Sequence, residues 1–442
     1  MSETIPETTE TNQPTNQAQN KAPAKGIEDP TINEKANQFM NFVYDSPTSL
    51  HCRENIINIL KKSGYTELEE TSSWGEIPNK FYVKRGFGNL IAVDKNDLSK
   101  ATIVLAKSDY PCFKVSQNSY RQSALCEQLR TDPVGNGLWF SWTDRDLRIA
   151  GQAQIKDEEG KLLTKNFKSD VPVAVIPSLA IHLASGSGVK PVFKLNQHFF
   201  PIVALSKGKS RKNTEQSPVL MAFIAQLCNT NPENIQSFDV YLSDYERPEK
   251  VGIEEEFVVG QGIVGPGTAY SAFQGFISSE SPSKGMKVFT LLEESSFKSD
   301  FLSSTLKRIG VPPSFYQISF LVTVSGLPGV HPNFSKDTDG SNTIGLGKGI
   351  MYNWSGDMNT ASIVSGIAKL LNIASKADKI INKNISTSKN DSLAVDLTAK
   401  VGIPSVEISL PVLGVGSIRE MIHKNDIPTL IDFVRCIYHF NV

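Results

Sequence analysis

Apolar residues recur along this chain in two rhythms. Ala36, Phe39, Met40 and Val43, and then Leu50, Ile56, Ile57 and Leu60, fall at three- and four-residue spacing, which predicts two successive helices. Thr31 with Glu34 three places later makes a capping box for the first, Ser46-Pro47 stops it, and Gly64 ends the second. Short apolar runs follow. Tyr82-Val83-Lys84 and residues 89–93 flank Arg85-Gly86-Phe87-Gly88 as a hairpin, and residues 101–106, A-T-I-V-L-A, read as a buried strand. From Cys112 to about Leu242 short β-rich runs, such as 171–176 and 200–205, alternate with turns, so residues 112–242 are expected to form an inserted, mostly-β module. Beyond Leu242 helices and strands alternate: a helix from Thr268, a strand at 287–292, a helix near Leu302, a strand at 318–324, a long helix with Ile363, Val364, Ile367, Leu370 and Leu371, a strand at 406–408 and a last helix at 429–438. That alternation predicts an α/β domain, built from 31–111 and 243–442, with a mainly parallel sheet covered by helices.

Composition sharpens this picture at the ends and on the surface. Residues 1–30 are rich in Thr, Asn, Gln, Glu and Pro and nearly free of large apolar side chains, so they read as a disordered tail that cannot offset ordering entropy by burial. The remaining length exceeds one comfortable core and suits two domains. Lysine plus arginine number 45 against 46 acids, which removes a general electrostatic case for nucleic acid or an anionic membrane as partner. The one local basic run, K-G-K-S-R-K at 207–212, has no aromatic interleaving and reads as a solvated loop. Five scattered cysteines without a C-x-x-C pair indicate neither a disulfide framework nor a cysteine zinc site and fit a reducing cytoplasm. No apolar run is long enough to span a membrane, and the first residues lack the pattern of a secretory signal.

Candidate chemistry centres on Glu293 and Glu294, which end the apolar run at 287–292 abruptly. Beyond the carboxyl end of an α/β strand such a pair suits a metal ligand beside a general base, and equally a solvated loop opening. G-Q-G-I-V-G-P-G at 260–267 has the glycine density of a phosphate loop but lacks its lysine and Ser/Thr. His51, His182, His198, His331, His423 and His439 show no H-x-x-x-H or H-E-x-x-H spacing, no G-x-S-x-G elbow occurs, and Cys112 has no histidine near it in sequence. Trp139 and Trp142 beside Asp144-Arg145-Asp146 suggest a packed corner or an interface.

Several runs then fall in the order found in one family: Phe42-Val43-Tyr44-Asp45-Ser46-Pro47-Thr48, Ser108-Asp109-Tyr110-Pro111-Cys112, Gly137-Leu138-Trp139 with Asp144-Arg145-Asp146-Leu147, Ile176-Pro177-Ser178-Leu179-Ala180-Ile181-His182-Leu183, Glu293-Glu294, His331-Pro332-Asn333 and Ser417-Ile418-Arg419-Glu420. From about Phe39 to Tyr438 the chain resembles the aspartyl aminopeptidases and vacuolar aminopeptidase I, which are dinuclear zinc exopeptidases. The resemblance implies a zinc-peptidase α/β domain interrupted by a β-rich dimerisation domain and assembled into a tetrahedral dodecamer. It also implies two zinc ions that activate a bridging water while a glutamate takes its proton. At the implied ligand positions this sequence departs from the family. The histidine of a His-Thr-Asp motif is Lys107, whose ammonium has donors and no lone pair. The bridging aspartate falls at Val264, the aspartate of Ser-Ala-Asp at Ser325 and the histidine of Met-His-Ser at Gly416; Glu294 alone keeps a ligand's chemistry, and Glu293 stands at the general base. Phe140 replaces a histidine that reaches a neighbouring site, and Tyr352 a lysine near the substrate carboxylate.

Three functional classes follow. The first is a catalytically inactive pseudoenzyme, a scaffold or regulatory subunit that is homo-oligomeric or mixed with an active relative and holds no cofactor. The second is an active zinc aminopeptidase removing acidic N-terminal residues, and the third a module binding a peptide or metabolite in the old cleft. For the first class, Lys107 is expected to act as a built-in cation against Asp109, Glu293 and Glu294.

Overall fold

The computed structural model describes residues 30–183, 193–206, 215–337, 341, 343–354, 364–385 and 401–440. In chain order its elements are α1 (Pro30–Tyr44), α2 (Ser49–Lys62), β1 (Thr66–Glu67), β2 (Lys80–Arg85), β3 (Asn89–Lys95), β4 (Ala101–Lys107), β5 (Cys112–Ser123), β6 (Cys126–Val134), β7 (Leu147–Lys156), β8 (Leu162–Lys168), α3 (Leu195–His198), β9 (Ile202–Leu205), α4 (Pro218–Leu227), β10 (Ile235–Asp244), β11 (Glu249–Val251) and β12 (Phe257–Gly260). They continue with α5 (Thr268–Ser278), β13 (Met286–Leu292), α6 (Phe301–Ile309), α7 (Phe315–Ile318), β14 (Phe320–Pro328), β15 (Met351–Trp354), α8 (Val364–Lys376), β16 (Asn382–Ile385), β17 (Ser405–Val412), β18 (Glu420–His423) and α9 (Asp426–His439). The tail expected over the first residues, apart from Pro30, and the basic run at 207–212 lie outside the described residues.

The large sheet has the order β1-β2-β3-β13-β4-β14-β17-β15-β16. Its centre, β13, β4, β14 and β17, is parallel, with β3 antiparallel to β13 on one side and β15 antiparallel to β17 on the other. Every residue of β13 and of β17 is buried, which a sheet covered on both faces requires of its central strands. Alternation along β4 divides the cover: Val104 and Ala106 join the core beneath α1, α2, α5, α8 and α9, whereas Ile103 and Leu105 face the core beneath α6. The hairpin read at residues 85–88 is present, with Arg85 opposite Asn89.

The second sheet is antiparallel, β8-β7-β10-β5-β6-β9, and has its own core, in which Phe113 meets Trp142 edge-on at 5.2 Å and Phe199 in a stack at 5.5 Å. Strand β10 runs from this sheet to Asp244, whose fully buried carboxylate is shared by Arg145 and Arg419. The small sheet β11-β12-β18 follows.

Boundaries differ where proline and isolated pairing decide them. Helix α1 starts at Pro30, ahead of the Thr31 cap read from sequence, because the first helical position tolerates the missing N–H. For the same reason α9 starts at Asp426 with Pro428 in its first turn. Ile318 closes the single helical turn α7, and the strand begins at Phe320. Residues 171–176 make isolated bridges only, Ala174 to Leu147 and Val175 to Ile202, because successive residues pair with different strands.

Asp426 ties α9 to the loop before β15: its carboxylate accepts the N–H groups of Gly347 at 2.9 Å and Gly349 at 3.0 Å. Burial pushes its pKa up to about 6, against those two bonds. The folded state therefore holds this proton to higher pH than the unfolded chain does, and the stability Asp426 contributes falls as pH rises through that value. Melting curves from pH 4 to 7 should show the advantage of wild type over Asp426→Asn shrinking by roughly 2 kcal/mol; a pH-independent difference would refute the assignment.

Candidate functional site at the strand ends

The parallel strands end along one edge of the large sheet, where the loops after them meet. Lys107, the last residue of β4, pairs in register with Leu292, the last of β13, so the chain that follows each strand emerges side by side. The Lys107 ammonium reaches Glu294, Nζ to Oε2 at 2.9 Å, with 17% and 30% of the two side chains exposed. Burial acts to lower the Lys107 pKa, but Asp109, Glu294 and Glu420 outweigh it and the group sits above its ordinary value.

The other acids are satisfied differently. Asp109 accepts the backbone N–H of Glu294 through both oxygens, each at 3.1 Å. Its burial, opposed by Lys107 and that N–H, lifts its pKa to about 6. Glu293 turns the other way. Ser49 Oγ, at the start of α2, donates to Oε1 at 2.7 Å, Gly88 N–H to Oε2 at 3.2 Å, and Asn89 Oδ1 accepts the Glu293 N–H at 2.8 Å. A carboxylate at a helix N-terminus is favourably placed, so Glu293 is held by α2 and the hairpin. Of the acids expected to converge on Lys107, Glu294 bonds to it, Asp109 acts on it through space and Glu293 faces elsewhere.

Glu420 went unselected in the sequence, although it closes the run Ser417-Ile418-Arg419-Glu420 that the resemblance quotes. It is 2% exposed; Val264 N–H donates to Oε2 at 2.8 Å and Gly416 N–H to Oε1 at 3.0 Å. Burial lifts its pKa to about 7, against those N–H bonds and the charge of Lys107. The signal for it was an acid inside a retained run. Val264 lies in the kinked loop after β12, next to Gly265, whose φ of +149° brings it against the Asp109 carbonyl, where a Cβ would lie at 2.4 Å. Ser325, on β14, donates to Glu407 Oε1 at 3.0 Å; Asn353 Nδ2 donates to Oε2 of the same carboxylate at 3.2 Å, and Asn384 to Asn353 at 2.9 Å. These bonds make a buried polar ladder from β14 to β16.

Beside the acids lies a cavity of about 330 Å³ walled by Phe87, Tyr110, Tyr241, Asp109, Glu293 and Glu294. Lys107, Val264, Ser325 and Gly416 are not on that wall. Tyr352 is half-buried on β15. Among the described residues no group of three or more His, Cys, Asp or Glu side chains could hold a metal ion. An ammonium, an alkyl group, a hydroxyl committed to Glu407 and a glycine do not fit a dinuclear zinc site.

The segment around Trp139 is a packed corner within the chain. Trp142 is fully buried and presents no surface to a partner; Trp139 packs on Phe113 at 4.8 Å. Asp144 caps the Ser178 N–H at 2.8 Å, Arg145 pairs with Asp244, and the Asp146 carbonyl accepts the Tyr245 N–H. Exposed apolar surface in this stretch belongs to Leu138 and Phe140. His331 accepts the Asn333 N–H at 3.2 Å, a structural capping role, and His182 is exposed on a turn.

Comparison with known proteins agrees with this architecture. A family model described as aminopeptidase I zinc metalloprotease (M18) matches residues 42–438. Aspartyl aminopeptidase 1 of Schizosaccharomyces pombe is 28% identical, the match covering 90% of this chain and 93% of that one. Aspartyl aminopeptidase of Caenorhabditis elegans is 25% identical over 90% of this chain and 93% of its own. Among solved structures, a chain of the Ape4 and Nbr1 complex superposes with a TM-score of 0.86 at 26% identity, covering 92% of this chain and 86% of that chain. The mApe1 of Chaetomium thermophilum superposes with a TM-score of 0.83 at 22% identity, covering 93% of this chain and 98% of that chain. By fold, by order of motifs and by extent of match, this chain belongs to the M18 aminopeptidase family.

Proposed function

We propose that this chain is a non-catalytic M18 member, an oligomeric scaffold or regulatory subunit that keeps the family fold without its metal chemistry. The observation that carries the reading is the Lys107–Glu294 ion pair at 2.9 Å, formed where the resemblance places a zinc-binding histidine beside the ligand glutamate. Glu293, at the general-base position, is engaged by Ser49 and Gly88. At the implied ligand positions Lys107 bonds to Glu294, and Ser325 bonds to Glu407. A second reading, a peptide- or metabolite-binding cleft, draws on the cavity beside Glu293 with its aromatic wall. The free cysteines suit a cytoplasmic protein.

Protein purified without chelator is expected to carry no stoichiometric zinc by elemental analysis and to release no amino acid from Asp- or Glu-initiated peptides. Two zinc ions per chain with chelator-sensitive hydrolysis would establish the active aminopeptidase instead.

The Ser325 ladder gives an independent check. Returning a carboxylate to position 325 sets it against Glu407, which now accepts the Ser325 hydroxyl at 3.0 Å. Ser325→Asp, which loses that donor and sets a second carboxylate beside Glu407, should destabilise the protein more than Ser325→Ala does. Ser325→Ala, which removes one hydrogen bond, should cost about 1 kcal/mol. Equal denaturant midpoints for the two variants would show that the Ser325–Glu407 contact does not disfavour a carboxylate at position 325.

We further propose that the antiparallel sheet β5–β10, with residues 112–242, is the dimerisation module. A related solved structure is described as the dodecamer of Saccharomyces cerevisiae mApe1. Leu125, Leu138, Phe140 and Leu205 are large apolar side chains exposed on this part of the chain. Light scattering at micromolar concentration should report an assembly, and Phe140→Asp with Leu205→Asp should reduce it; a wild-type monomer would end the proposal.

A further inference from the structure

The cavity beside Glu293 has a wall of one sign of charge. Asp109, Glu293 and Glu294 are on it, and among the described residues no lysine, arginine or histidine is. Glu294 has the Lys107 ammonium, which stands off the wall. The other two carboxylates are met by neutral donors: Ser49 Oγ and the Gly88 N–H on Glu293, and the Glu294 N–H on Asp109. A carboxylate offers about four acceptor positions, so both acids keep capacity toward a further donor. The same wall carries Pro47, Val134 and the rings of Phe87 and Tyr241, whose centroids lie 5.4 Å apart. Lys114 stands over the Tyr241 ring at 5.4 Å, but it is not a wall residue and Asp239 takes its charge at 2.5 Å. A space of about 330 Å³, with two carboxylates that lack an ion-pair partner beside an aromatic pair, suits a cation that carries an apolar chain.

We propose that this cavity binds an aliphatic ammonium ion, with the charge at Glu293 and Asp109 and the alkyl chain along Phe87 and Tyr241. The proposal rests on the reading of the cavity as a ligand-binding cleft and names the ligand class that its wall selects. An ammonium brings three N–H donors to carboxylates with acceptor positions to spare, and aromatic rings favour a cation over a neutral group of the same shape. An acidic ligand would meet three carboxylates of its own sign. Lys107, Val264, Ser325 and Gly416 lie off the wall, so the site stands beside the implied zinc positions and not at those four. A lysine side chain of a peptide and a free alkylamine carry the same ammonium chemistry.

The test is isothermal titration calorimetry of the full chain in excess chelator, with N-acetyl-lysine methylamide, pentylamine, the neutral isostere N-acetyl-norleucine methylamide and N-acetyl-glutamate methylamide. Acetylation removes the α-amino charge, so the peptide-like probes differ only in the side chain. The two ammonium probes should bind saturably at about 1 mM, and the neutral and acidic probes about tenfold more weakly or not at all. Tighter binding of the lysine probe assigns the site to a peptide, and tighter binding of pentylamine to a free amine. Asp109→Asn should weaken the ammonium probes about tenfold and Phe87→Leu about fivefold, with melting curves confirming that both variants fold. A norleucine or glutamate probe that binds as tightly as the lysine probe would overturn the ammonium class and leave the cleft reading standing. No saturable binding by any probe would overturn both. These comparisons need wild type alone, so they decide the matter even where a variant fails to fold. Folded variants that bind ammonium as wild type does would overturn the assignment to this cavity.

Discussion

Negative charge gathered at the carboxyl edge of a covered parallel sheet must be compensated wherever water is scarce, and the arrangement of the surrounding loops follows from how this is done. Each acid finds a different partner. Glu294 has the Lys107 ammonium, Glu293 the first turn of α2 and the Gly88 N–H, Asp109 the backbone of Glu294, and Glu420 the backbones of Val264 and Gly416. Because all of these partners except Gly416 lie far along the chain from their acid, compensation and loop placement are one event. Gly88 illustrates the tightness: a Cβ there would lie 2.5 Å from Ser49 Cβ and 2.9 Å from Glu293 Cγ, so the hairpin approaches α2 only with glycine at its end.

The same loops fix how the antiparallel sheet sits on the large one. Within the run 417–420, Arg419 faces Asp244 and Glu246 while Glu420 faces the site. The preceding residues reach the corner around Trp139: the Gly416 carbonyl accepts the Leu138 N–H at 2.8 Å, and Ile418 N–H donates to Ser141 Oγ at 2.9 Å. Tyr110, next to Asp109, donates its hydroxyl to the Pro47 carbonyl at 2.7 Å. Runs that resemble the family's motifs therefore hold the two sheets together, and that gives them a structural reason to persist apart from any chemistry.

Much of this was legible in the sequence, and the parts that were not share a cause. Helices with a one-sided apolar stripe, such as α2, and strands with a continuous apolar run, such as β4 and β13, announce themselves because burial is decided within a few residues. The Glu293-Glu294 pair could be selected by position after a buried strand, and Lys107 by its place in the resemblance. The direction of Glu293 could not, because its partners Ser49 and Gly88 lie more than 200 residues away. Glu420 was hidden because its bonds go to backbone N–H groups and leave no side-chain pattern to read. Trp142 could be read as part of a packed corner or of an interface, because an aromatic near charges looks alike in both. Its contact with Phe113, distant in sequence, decides the matter.

The residues at the edge also fit one another. Gly416 has φ of +79°, a region costly to residues bearing a Cβ, and a Cβ there would stand 3.2 Å from the Asn136 carbonyl. A side chain at this position would carry backbone strain that glycine avoids, and the backbone N–H here meets Glu420. Val264 in turn lays a methyl group over Gly326, where a Cβ on the glycine would lie 2.5 Å from it, and so seals the gap beside β14 with apolar surface. Ser325, one residue earlier on β14, turns its hydroxyl to Glu407. The acids at the strand ends are all hydrogen-bonded, whereas Ser108 Oγ, buried between Lys107 and Asp109, has no partner among the described residues.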